Sequence, residues 1–364
     1  MTLEQGVGAA LVLLFLADIF LTVLYARAGT GLLAPLWTRV IWAALRAGAS
    51  LFGRRRGPAL SFVGPVIVVS LIGFWAFGLT LGAALVIRPE LGTTIRPASG
   101  DTPTDLVTAM VVAGNSLSIV GGGDYAPHST ATRLLFLVNS LIGASVLSLV
   151  LSYLVQVYSG LRERNALALT IDLMTDGTGD AAVMLARLMP GGDSGNATSE
   201  LGNLIAPLTA TKEAHHFYPL LFYFRFNDAR YAVSRFGFVL LDLVTLIDTV
   251  LDQDRYATLI ASSPVASLRR GTTLLLETLD AHFPTRGGRE GRPEAIRAMR
   301  QSIVAAIRTL EESGIAVHHD GVDDYVSRRQ AWDALTCRVA PAMGYTMIEI
   351  DRRSSAVQSL VKTI

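Results

Sequence analysis

Ser118-Ile119-Val120-Gly121-Gly122-Gly123-Asp124-Tyr125-Ala126-Pro127 is the stretch on which the fold turns. Three consecutive glycines ahead of an acid and a proline do not continue a helix, because glycine has the most backbone freedom to lose and proline lacks an amide donor. Directly before them, Leu106 to Leu117 is apolar but only 12 residues long. A helix needs ~20 residues to cross a bilayer. The stretches on either side are long enough: Ala59 to Ile87 is uncharged over 29 residues and Leu134 to Leu161 over 28. A half-crossing helix and a glycine-rich strand between two full spans predict a re-entrant loop. Backbone without helical bonds at membrane depth survives only where it is buried in protein or lines a watery cavity.

A third apolar stretch, Gln5 to Ala26, carries one charge, Asp18. It has Glu4 and no Lys or Arg in front, and it runs into Arg27, so it reads as an uncleaved membrane helix rather than a signal peptide. Asp18 is costly at that depth and is either functional or hydrogen-bonded to a neighbouring helix. Residues 27–58 contain Arg27, Arg39, Arg46, Arg54, Arg55 and Arg56 and no acid, which places this loop in the cytoplasm and the N-terminus outside. Within it, Leu33, Leu36, Trp37, Val40, Ile41, Ala44, Leu45, Leu51 and Phe52 fall mostly on one stripe, the pattern of an interfacial helix. The second span then runs outward and the third inward, where Arg162 and Arg164 follow on the cytoplasmic side. The 29 arginines against 2 lysines hint at GC-rich coding, hence a bacterial inner membrane.

Composition agrees with this division. The 364 residues are 51% hydrophobic and 17% charged, with mean hydropathy +0.44, yet residues 1–164 hold only 18 of the 61 acidic and basic side chains. A net charge of +1 gives no basic footprint for nucleic acid, and the lone Cys337 excludes a disulfide scaffold. The expected class is an all-α membrane protein in three parts: an N-terminal membrane and interfacial section (1–58), a pore section (59–164) and a helical cytoplasmic domain (165–364). In the last, Phe236, Val239, Leu240, Leu243, Val244, Ile247, Val250 and Leu251 form a helical stripe with Asp242, Asp248 and Asp252 on polar positions. Ile296, Met299, Ile303, Ile307 and Leu310 form another, and breaks are expected at Gly177–Gly179, Pro190–Asn196 and Pro284–Pro293. His215-His216 and the aromatic run Phe217 to Phe238 read as helical core or a ligand cavity, and His318-His319-Asp320 as a solvated loop or a cation site. No nucleophile–base pair stands out, so neither enzyme activity nor a cofactor is expected.

At the glycine run the chain resembles the potassium channel family, whose filter reads Thr-Thr-Val-Gly-Tyr-Gly-Asp with a proline three residues on. Val120, Gly121, Gly123, Asp124 and Pro127 match in register, and Gly143 falls where the family's inner helix carries a hinge glycine. The resemblance covers residues 59–161. It implies a homotetramer in the lipid bilayer with Ser118, Ile119, Val120, Gly121, Gly122 and Gly123 as filter. Backbone carbonyls of Ile119, Val120, Gly121 and Gly122 would hold a dehydrated K+, Asn115 and Asp124 would support the filter, and Gly143 would serve as gating hinge. Rings of carbonyls can replace an ion's water shell, and Gly121 and Gly123 adopt the alternating backbone handedness without steric penalty. The preceding helix is expected to start near Thr102-Pro103-Thr104-Asp105 with a capping hydroxyl and a proline in its first turn. Ile119 replaces the family's inner-site threonine, Gly122 its outward-packing aromatic, and Val111 and Val112 stand in place of tryptophans. Potassium against sodium preference and any regulatory ligand stay open at this point. The alternative reading is a non-conducting channel-like receptor or scaffold.

Overall fold

The computed structural model describes residues 2–25, 31–50, 56–118, 123–283 and 293–355. Its helices are α1 (Leu3–Ile19), α2 (Ala34–Ser50), α3 (Arg56–Ser61), α4 (Val63–Ile87), α5 (Leu106–Leu117), α6 (Thr130–Met174), α7 (Ala181–Leu188), α8 (Ala197–Asn203), α9 (Ile205–Phe217), α10 (Val233–Thr249), α11 (Ala257–Ile260), α12 (Ser263–His282), α13 (Pro293–Glu312), α14 (Val322–Ala342) and α15 (Met347–Ile350). Two short strands, β1 (Ile95–Pro97) and β2 (Tyr125–Pro127), complete the regular structure among the described residues. The chain divides into two compact units, Met1–Ala47 with Gly64–Tyr158 and Gly48–Val63 with Ser159–Ile364.

Among the described residues, three helices are long and apolar enough to cross a membrane: Leu3–Leu24, Val63–Glu90 and Thr130–Met174, the last continuing from the first unit into the second. The first and second lie antiparallel, since Gln5 donates to Glu90 at 3.2 Å and Glu4 pairs with Arg88 at 3.1 Å. They approach closely at glycines. A side chain at Gly78 would overlap the Phe15 ring, and one at Gly82 would lie 3.0 Å from the Gly8 carbonyl. Gly78 and Gly82 are four apart on one face, the small-residue spacing through which membrane helices pack.

The span does not start at Ala59. Residues 56–61 form the separate α3, with a turn at Phe62, and they group with the second unit. Pro65 explains the break: its ring conflicts with the carbonyl four residues earlier, so it suits the first turn of α4 but not an uninterrupted helix through Ser61.

Asp18 is fully buried and hydrogen-bonded. Its Oδ1 accepts from the amides of Leu33 (2.7 Å) and Ala34 (3.2 Å) at the start of α2, and its Oδ2 from the Trp75 indole of α4 (2.8 Å). It satisfies amides that a helix start leaves without partners. Trp37 of α2 stacks on Phe74 at 4.3 Å, while Leu36 and Val40 stay uncovered.

In the second unit α10 is the centre. It is buried on every side from Val233 to Ile247, with α12 and α14 as its main neighbours. The amphipathic expectation is therefore corrected at Asp242, which is 1% exposed. It accepts from the Tyr325 hydroxyl and from Arg353 Nη2 (2.6 Å), and Arg353 also reaches Asp180 (2.8 Å) and Ser302 (2.9 Å). The same network includes Arg329, bonded to Tyr325 (2.9 Å) and paired with Asp351. Burial pushes the Tyr325 phenol well above its usual range, so it stays a neutral donor. Asp248 instead takes Arg269 and Arg328, and Asp252 closes a turn through the amides of Asp254 and Arg255. The α13 stripe is buried as expected at Met299, Ile303, Ile307 and Leu310. Breaks fall at 175–180 and 189–196, and residues 284–292 lie outside the described residues.

Replacing Asp18 tests its capping role. Hydrogen bonds to charged groups contribute ~1.5–3 kcal/mol each. Asp18→Leu, which strands two amides and an indole donor, is expected to lower the melting temperature in detergent strongly. Asp18→Asn should fall between, since its amide cannot accept from all three donors. Equal melting of all three proteins would contradict the cap.

Candidate functional site

Helix α5 spans Leu106–Leu117, the residues its apolar run predicted. Its start differs from the expectation. The cap is the carboxylate of Asp105, which accepts from the amides of Val107 (2.9 Å) and Thr108 (3.0 Å) and from the Thr108 hydroxyl (2.7 Å), and Pro103 lies outside the helix. The Thr108 amide and hydroxyl hold this carboxyl below the usual carboxylate range. One face of α5, comprising Ala109, Val112 and Ala113, packs on Ala83, Ala84, Ile87, Leu91 and Ile95.

Strands β1 and β2 pair antiparallel with Ile95 opposite Pro127, and His128 donates to the Thr94 carbonyl at 2.8 Å. They join the chain before α5 to the chain after the glycine run. The sequence reading had no strand here; three-residue strands are too short to show an alternating pattern.

The C-terminal end of α5 is seated on α6 by three contacts, with one further hydrogen bond inside α5. Asn139 Nδ2 donates to Ser116 Oγ (2.9 Å), Ser140 Oγ donates to the Ser116 carbonyl (2.9 Å), and Ser116 Oγ donates back to the Ala113 carbonyl (2.8 Å). At Gly143, the position a first side-chain carbon would take is filled by the Leu117 carbonyl. Gly143 lies inside an unbroken α6, and its absence of a side chain is what lets the two backbones meet. The polar residues Ser116, Asn139 and Ser140, within otherwise apolar runs, were the available signal for this seat.

Of the filter residues, Ser118 ends α5 with its amide on the Gly114 carbonyl (2.9 Å). Ile119, Val120, Gly121 and Gly122 lie outside the described residues. Gly123 has φ +140°, a region L side chains avoid, and a carbon added there would lie 2.6 Å from Asn115 Nδ2. Asn115 thus stands beside the end of the glycine run. Asp124 is exposed, and among the described residues no hydrogen bond joins it to Asn115. Val112 is buried and Val111 is half exposed.

In the second unit His215 is fully buried, its Nδ1–H donating to the Thr211 carbonyl at 2.8 Å. Burial, with the Arg164 charge adding to it, pushes this imidazole down to about 3, so it is neutral. Leu220 to Phe224 are buried beside it, with Phe222 stacked on His282 at 4.2 Å, so this part of the aromatic run, with Phe236 and Phe238, is core, whereas Phe217 is exposed. His318, His319 and Asp320 are exposed, and no cluster able to hold a metal occurs among the described residues. Arg164, expected with Arg162 just past the third span, is 1% exposed and bonded to backbone carbonyls. No family model, curated protein or solved structure matches the chain.

The α5–α6 seat is testable at Gly143. Gly143→Ala puts a methyl where the Leu117 carbonyl lies, and overpacking of this kind costs ~1–3 kcal/mol. Thermal melts should show it clearly less stable than the parent, whereas Gly73→Ala, with no neighbour within 4 Å, should not be destabilised. Indistinguishable melts for both variants would contradict the contact.

Proposed function

We propose that four copies of this chain form a cation channel, with Ser118–Gly123 as filter, α6 lining the pathway and the second unit in the cytoplasm. The observation that carries this reading is the seat just described: an apolar helix too short to span, held by backbone contact on a helix that does span, and leading directly into a glycine-rich segment. Such a segment needs protein or water around it at membrane depth. One chain supplies one such loop, and a ring of chains supplies rings of carbonyls that can replace a cation's hydration shell. The apolar window of α6 is only 11% buried within a single chain, which leaves most of that helix for lipid, other copies and the pathway. The C-terminal end of α5, the negative end of its dipole, would bear on the cation.

Gly143 as gating hinge and Asp124 at the outer mouth belong to this proposal. So does potassium as the conducted ion, given Val120, Gly121 and Gly123 in register with the family filter. Ile119 offers no hydroxyl at the innermost site, so only backbone oxygens serve there. That arrangement weakens potassium preference.

The test is flux from liposomes holding the purified protein. Potassium flux that disappears with Gly121→Asp, and a reversal potential that shifts toward potassium with Ile119→Thr, are the expected results. A well-folded protein that carries neither potassium nor sodium would overturn the channel reading in favour of a non-conducting receptor or scaffold.

A further inference from the structure

We infer that the short segment Leu221–Phe226 is a tie that holds the chain entering α4 and the Arg164 turn of α6 in fixed register, with Arg164 and Arg225 as its positioning residues. Both guanidiniums are buried, at 1% and 6% exposure, and among the described residues neither is paired with a carboxylate. They bond to backbone instead. Arg164, on the part of α6 that belongs to the second unit, donates from Nη1 to the Leu221 carbonyl and from Nη2 to the Phe224 carbonyl, each at 3.1 Å. These carbonyls lie around the 3-10 turn Pro219–Tyr223, where the Leu221 carbonyl also accepts from the Phe224 amide at 3.3 Å.

Arg225 faces the other way along the chain. Its Nη1 donates to the Gly57 carbonyl in α3 at 2.8 Å and its Nε to the Gly344 carbonyl at 3.2 Å, with the guanidinium 4.5 Å from the Tyr345 ring centre. Tyr345 closes the arrangement, its hydroxyl donating to the Phe226 carbonyl (3.0 Å) and accepting from the Phe226 amide (3.1 Å). Leu60, fully buried, anchors α3 beside Gly344, whose φ of +82° disfavours a side chain and where an added carbon would lie 3.0 Å from Leu60.

One six-residue stretch therefore grips α3, whose chain continues into α4, and α6 at Arg164. A buried cation without a counter-ion is expensive, and an apolar residue would fill the same space at lower cost. What a guanidinium adds is a planar fork able to bridge two carbonyls on separate elements. Leu221, Phe222, Tyr223 and Phe224 are buried, so the tie has little freedom to stretch. Displacement of this segment moves the chain entering α4 and the Arg164 turn of α6 together. Resting on the channel reading, this makes it the route by which the second unit sets the opening of the pathway.

The experiment uses the full chain in liposomes with Cys337→Ser, spin labels at Phe62→Cys and Arg162→Cys, and labelled chains diluted among unlabelled copies. The parent should give one narrow distance. Arg225→Ala should broaden it, and Arg225→Lys, which keeps the charge but cannot bridge Gly57 and Gly344 together, should do so partially. Potassium flux should change by at least about fivefold, the low end of coupling between linked equilibria. Circular dichroism melts identify any variant that has unfolded, and Arg225→Lys then decides. A distance distribution unchanged in folded variants overturns the tie. If the parent itself carries no flux, the channel reading falls alone, and the distance measurement still decides the tie.

Discussion

Everything in the first unit depends on the Leu117 carbonyl resting where Gly143 has no side chain. A helix of 12 residues ends with carbonyls that lack intrahelical partners. The chain resolves this by sealing the end of α5 against α6, with Asn139, Ser140 and Ser116 taking up polar groups on one side and Asn115 standing beside Gly123 at the end of the run. The β1–β2 ribbon fixes the other end of the loop, so the segment between Ser118 and Gly123 is bounded by anchored residues.

The same economy governs charge elsewhere. Asp18 is buried among backbone amides and one indole, and Arg164 and Arg225 among backbone carbonyls. Around α10 the molecule buries opposite charges together, where Asp242 and Asp351 meet Arg353 and Arg329 and Asp172 meets Arg235. Removing one partner of such a buried pair is strongly destabilising, by ~3–5 kcal/mol, although the intact pair adds little net stability. These groups therefore specify arrangement more than they supply stability. Arg353 alone joins the start of α7, the middle of α10, and residues of α13 and α14.

The three spans, the bounds of α5 and the core stripe of α13 were legible because apolar runs and helical periodicity are local properties. Asp242 was misread because periodicity shows which residues are polar but not that a helix is enclosed on all sides; its partner Arg353 is 111 residues away. The burial of Arg164 was not legible either, since its carbonyl partners at Leu221 and Phe224 lie 57 and 60 residues away. The start of α4 was legible in principle from Pro65, and the α1–α4 contact from the Gly78 and Gly82 spacing. Gly143 was singled out by its position after the glycine run, and what the fold shows of it is close packing against Leu117.

A filter made of one loop per chain requires several chains around one axis, so copy number tests the account most directly. Mass measurement of the intact protein in mild detergent should give four copies of the 39.0 kDa chain, stable on dilution. A stable monomer or dimer would contradict a shared carbonyl filter, because no closed ring could then form around the Ser118–Gly123 segment.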